Sequence, residues 1–129
     1  MTLSTSIRAY REAEILAASP SRLVVITYDG LLMYLVRARA AIAAHNVEET
    51  FRALDRARGF VGELLAALDH EKGGACAGPL ASIYVYLLTQ LQTQGRTRTA
   101  AQLDQVIDLV RELRGAFADI ATAPRSAVA

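Results

Sequence analysis

The sequence predicts an all-α fold, an antiparallel up-down four-helix bundle with a short N-terminal arm or helix. Apolar residues recur at steps of three and four through four long stretches, as on one face of a helix. Short connections carrying Ser-Pro, Gly-Gly and Thr signals separate those stretches, which favours antiparallel neighbours. No stretch alternates apolar and polar residues between turns as a half-buried strand does. At 129 residues, 53% of them hydrophobic, the chain has material for one domain with its own core.

Residues 1–18 form the arm, weakly amphipathic through Ile7, Tyr10, Ile15 and Leu16. Ser19-Pro20 starts the first bundle helix, with serine as cap and proline at the first helical position, where its missing N–H costs nothing. The seam then runs through Val24, Tyr28, Leu31, Leu35, Ala38 and Ile42 and ends near His45-Asn46. These roughly 25 residues span about 37 Å at the helical rise. The second stretch uses Val47, Phe51, Leu54, Val61, Leu64 and Leu68 and stops at Gly73-Gly74. The third runs through Pro79, Leu80, Ile83, Tyr84, Leu87, Leu88 and Leu91 to Gly95, with Pro79 expected to delay or kink its start. Thr99 and Gln102 form a capping-box pattern for the last helix, which carries Leu103, Val106, Val110, Leu113 and Phe117. The bundle is expected over 19–120, and 121–129 reads as a flexible tail.

Composition narrows the function. Net charge is +1 with basic and acidic residues interleaved, unlike the clustered basic face that nucleic acid requires. The longest apolar run, Gly30 to Val36, falls short of the ~20 residues of a membrane span, so no membrane insertion is expected. The N-terminus, with Arg8, Arg11, Glu12 and Glu14, does not resemble a signal peptide, which favours the cytoplasm. A lone cysteine, Cys76, excludes an intramolecular disulfide framework and reads as an incidental thiol.

No catalytic or cofactor motif stands out. Neither His45 nor His70 has a glutamate three residues before it, as a di-iron bundle would need, and the Cys and His residues lack zinc spacing. No metal and no cofactor is expected. Asp69, Glu71 and Lys72 read as a solvated turn rather than an acid–base cluster. Arg58, on the stripe between Leu54 and Val61, could hold an anion inside a bundle; a packed stem with its guanidinium in water is the better reading.

The surplus of apolar residues says more. The first helix is apolar continuously from Leu31 to Val36 and the third from Ile83 to Leu88. A helix hydrophobic all round is normally surrounded, and a bundle of four cannot surround two of its members. Part of this surface is therefore expected to form a groove, to lie under the N-terminal arm, or to meet a second copy.

Three motifs in order carry a resemblance: Ala18-Ser19-Pro20 with Leu23 and Tyr28-Asp29-Gly30, then Leu68-Asp69-x-Glu71-Lys72-Gly73-Gly74, then Leu80-x-x-x-Tyr84-x-Tyr86. Together they resemble the flagellar secretion chaperones of the FliS family, from Ala9-Tyr10 to Phe117. The resemblance implies a non-enzymatic export chaperone that holds the disordered C-terminal segment of flagellin in an apolar groove, one client per chaperone. It implies prevention of premature polymerisation and delivery for type III export, with the export apparatus as a further partner. Ile7 and Tyr10 are then expected as an arm able to cover the groove, with Tyr28, Leu32, Leu80, Ile83, Tyr84, Leu87 and Leu91 near it. Asp29 and Gly30 suit close helix packing. The sequence departs from the family at Pro79, Val85, Gln94-Gly95 and Phe117, as a diverged paralogue, or one adapted to an unusual flagellin, would. A monomer or weak homodimer is expected. The alternative is a homodimerising helical module, or a chaperone for another exported protein.

Overall fold

The structure is a computed structural model that describes residues 21–68 and 77–122. Four helices form: α1 (Ser21–Ala43), α2 (Val47–Ala66), α3 (Ala77–Thr97) and α4 (Ala100–Thr122). α1 packs closely against α2 and α4, and α2 against α3, whereas α3 and α4 touch only sparingly. The bundle thus runs α4–α1–α2–α3 with its weakest seam between the last two helices. Ile7, Tyr10, the Ser19-Pro20 start, the 69–76 connection with His70 and Cys76, and the tail from residue 123 lie outside the described residues.

Both described connections are short because a residue in the left-handed region ends each helix abruptly. His45 has φ 56°. Its N–H donates to Ile42 O at 3.0 Å and that of Asn46 to Ala41 O at 2.9 Å, the paired bonds of a Schellman cap. Asn46 then caps α2, its Oδ1 accepting the Glu49 N–H at 3.1 Å. At the other turn Arg98, φ 47°, donates its N–H to Gln94 O at 2.9 Å. Gly95 therefore does not close α3. It lies two residues inside the helix end at Thr97, on the side facing α2, where a Cβ would make an ordinary contact with the Phe51 ring at 3.6 Å.

Two other boundaries differ from the sequence expectation. α2 ends at Ala66, ahead of Gly73-Gly74, and Leu68 beyond the helix end still packs against the core. α3 begins at Ala77, two residues before Pro79, which neither delays nor breaks it. Pro79 falls in the first turn, where four N–H groups lack helical partners anyway.

The core follows the predicted seams closely in α1 and α4. Tyr28, Leu31, Leu35 and Ala38 are buried, with Val24 and Ile42 packed at the edge, and Leu103, Val106, Val110, Leu113 and Phe117 are all buried. In α2 the predicted seam holds at Leu54, Val61 and Leu64 but not at its start. Val47 and Phe51 are nearly half exposed, and Thr50, Ala53, Leu54, Ala57, Val61 and Leu64 face inward. Small residues let α2 lie against α1 at short range, and the larger Phe51 is displaced to lie beneath Arg98, whose guanidinium sits 5.9 Å from its ring centroid.

Gln94 ties the α3–α4 turn. Fully buried, it accepts the Thr99 N–H on Oε1 at 2.9 Å and donates Nε2 to Gln102 Oε1 at 3.2 Å. The capping box expected between Thr99 and Gln102 is thus replaced by a bond from the preceding helix. Gln94→Ala is expected to cost about 1–3 kcal/mol, since a part-buried donor loses its acceptor. An unchanged urea midpoint would contradict this account of the turn.

Candidate functional site

The Tyr28-Asp29-Gly30 tripeptide touches each of the other three helices. The Tyr28 hydroxyl lies 2.7 Å from that of Tyr84 on α3, and its ring lies 5.6 Å from Phe117 on α4. Arg114 Nε donates to Asp29 Oδ1 at 2.9 Å, joining α4 to α1. Gly30 admits Phe60 of α2: a Cβ there would come within 2.6 Å of the Phe60 ring, which stacks on Tyr34 at 5.8 Å. Asp29 and Gly30 serve helix packing, and the tripeptide is the hub of the bundle.

A second bridge, Arg39 to Asp104 at 3.0 and 3.3 Å, uses the same antiparallel register. Each bridge residue is ten positions from the next on its own helix, Asp29 to Arg39 and Asp104 to Arg114. The carboxylate hydrogen bond first, and its charge second, raise the pKa of each guanidinium. A raised arginine pKa adds stability that is present at neutral pH and lost only in strong alkali. Both pairs are exposed, so salt screens them.

Gly30→Ala should test the hub. The added methyl gains about 1 kcal/mol of helix propensity. Against that, displacing the Phe60 ring from its seat costs about 1–3 kcal/mol of overpacking. Net destabilisation is expected, and Phe60→Leu in the same chain should recover part of it; thermal melts of the two variants that simply add would contradict the contact.

Of the residues expected near a partner, Tyr28, Leu80, Tyr84, Leu87 and Leu91 lie in the core at 0–2% exposure. They shape the surface from beneath. Leu32 and Ile83 are half-buried at the core's edge, and Ile7 and Tyr10 are outside the described residues. Among the described residues the exposed large apolar side chains are others: Leu23, Ile26, Met33 and Val36 on α1, Val47 and Phe51 on α2, and Val85 and Tyr86 on α3, each 44–57% exposed.

Two apolar surfaces involve α1, α3 and α4. On α3, Leu88 and Gly95 share the flank toward α2, so Ile83 and Tyr86 fall on the opposite flank, toward α4. On α4, Asp104 and Arg114 face α1, so Leu109 and Ala116 fall toward α3. Ile83, Leu109 and Ala116 are half-buried, with Tyr86 at the lip, and they line the sparsely packed α3–α4 seam. The second surface is the outer stripe of α1.

Among the described residues no cluster of His, Cys, Asp and Glu could hold a metal ion. Arg58 is half exposed and sits 3.7 Å from Asp55 on its own helix, as expected of a stripe-edge residue. A cleft of about 580 Å³ at the turn end is lined by Ile42, Val47, Thr50 and Arg98 among others. The Thr50 hydroxyl there is spent on Asn46 O. No described helix is long and apolar enough to cross a membrane.

The α1–α4 register was absent from the sequence reading, although the matched ten-residue spacings were there to be seen, whereas the packing role of Asp29 and Gly30 was expected. Comparison with known proteins adds what geometry alone does not. Residues 3–124 match the family model described as flagellar protein FliS. The chain is 33% identical over 125 residues to the flagellar secretion chaperone FliS of Salmonella typhimurium, covering 93% of each. It is 32% identical over 106 residues to the flagellar secretion chaperone FliSB of Pseudomonas aeruginosa, covering 82% of this chain and 84% of that one. It is 27% identical over 112 residues to the FliS chaperone of Campylobacter jejuni, covering 87% and 88%. A helical bundle matched over nearly its whole length by that family model, the chain belongs to the FliS family of flagellar proteins, which are chaperones and not enzymes.

Proposed function

We propose that this protein is a cytoplasmic flagellar export chaperone that captures the disordered C-terminal segment of flagellin on the apolar α3–α4 seam. Family membership supports the chaperone role. The observation that carries the location is the seam itself, among the described residues the most sparsely packed of the adjacent helix pairs, with a half-buried apolar lining of Ile83, Leu109 and Ala116. An amphipathic client segment laid along it would complete the burial that the fourth pairing leaves undone. The client orders as it binds, so it remains unable to self-assemble until released to the export apparatus. Ile7 and Tyr10 act as a lid over the same apolar surface when the client is absent. One chaperone takes one client.

Hydrogen exchange of the chaperone, with and without a flagellin C-terminal fragment of ~40 residues (about one or two helices), tests the location. Slowed exchange concentrated in 83–90 and 105–116 is expected. Protection confined to α1 and α2 would overturn the seam as the site.

A further inference from the structure

We propose that Gln102 contacts the client, its amide NH2 held outward by Gln94 to donate to a main-chain carbonyl of the bound segment. This rests on the reading of the α3–α4 seam as the client site. The orientation follows from a chain of hydrogen bonds that can run in one direction alone. The Thr99 N–H can only donate, so the Gln94 atom 2.9 Å from it is Oε1. Gln94 therefore turns its NH2 toward Gln102, at 3.2 Å, and Gln102 has to answer with its oxygen. The NH2 of Gln102 is left facing away. Gln102 is exposed, and among the described residues its Nε2 meets no acceptor. Gln94, by contrast, is fully buried and spends both amide atoms on this relay.

The donor stands where a bound segment needs one. Gln102 is seven residues before Leu109 and fourteen before Ala116, on the flank of α4 that faces α3. Gln90, seven residues after Ile83, is half-buried on the opposing flank of α3. The seam thus changes character along its length, from apolar at Ile83, Leu109 and Ala116 to amide-lined toward the turn. A client helix laid on the apolar part ends against the amides. The last four carbonyls of any helix lack a partner within it, and covering one without a donor is costly. A free glutamine would also lose rotamer freedom on binding, and Gln94 has already removed it.

Titration of a labelled flagellin C-terminal fragment with the full chain tests it. Gln102→Glu keeps an oxygen for Gln94 and removes the NH2. A carboxylate in the first turn of α4 suits the helix dipole, so the melting temperature should hold. Affinity is expected to fall about tenfold, as for one carbonyl left without its donor. The loss should persist with a fragment whose Asp and Glu are replaced by Asn and Gln. Its disappearance would name a client carboxylate as the acceptor and overturn the main-chain assignment. Gln94→Leu frees Gln102 to turn, so it should weaken binding by the parent but not further weaken binding by the Gln102→Glu chain. Equal losses in both would reduce Gln94 to a structural residue and overturn its positioning role. Unchanged affinity for Gln102→Glu, with binding still lost in the double variant Ile83→Asp, Tyr86→Asp, would overturn the anchor and leave the seam standing. Indifference to all of these would remove the seam, and the anchor with it.

Discussion

Tyr28→Ala is expected to lower stability by about 3–5 kcal/mol, the range for removing a buried aromatic side chain. In a chain of this size that is a fall of roughly 10–20 °C in Tm. The side chain is fully buried, packs on Phe117 and shares a hydrogen bond with Tyr84, so truncation opens a cavity where three helices meet. Tyr28→Phe keeps the ring and should cost far less, about 1 kcal/mol for the hydrogen bond. The pair of variants separates packing from recognition. A core residue changes client affinity only through the folded fraction, so Tyr28→Phe should bind flagellin as the parent does. A Tyr28→Ala protein melting at the parent temperature would remove the tripeptide from the centre of the bundle.

The second large effect is expected at the surface. The double variant Ile83→Asp, Tyr86→Asp should weaken binding of the flagellin segment by ten- to a hundredfold, about 1.4–2.8 kcal/mol. Tyr86 is half exposed, so its replacement changes stability by no more than about 0.5 kcal/mol; Ile83, half-buried, costs more. Val85→Asp is the control. It is adjacent in sequence and similarly exposed, but points away from α4, and should leave affinity unchanged. Titration of a labelled flagellin fragment with each variant measures this, and equal losses for the two would deny the seam its special role.

Much of the fold was legible because its core obeys one rule. In α4 every residue of the predicted seam is buried, and in α1 the inward line from Tyr28 to Ala38 is recovered. In α2 it held for Leu54, Val61 and Leu64, which are buried, and failed at Val47 and Phe51, which are nearly half exposed. Close packing against α1 instead selects the small residues Thr50, Ala53 and Ala57. Gly95 misled for a related reason. Glycine marks both helix ends and close approaches, and here the end is made by Arg98 in the left-handed region. The site was harder to read. A helix apolar all round shows that some flank lies open but not which one, so the strongest line on α3 (Leu80, Tyr84, Leu87, Leu91) proved to be core. The open flanks emerge only once Asp104 and Arg114 fix the α1 side of α4 and Gly95 fixes the α2 side of α3.

The account stands most directly on whether an apolar surface of this chain takes the C-terminal segment of flagellin. Isothermal titration with flagellin, full-length and lacking its last ~40 residues (about one or two helices), measures that. Binding of the full-length protein alone, with a large negative heat-capacity change, is the predicted result, because apolar burial on binding has that signature. Equal binding of the truncated protein, or no complex with either, would contradict it.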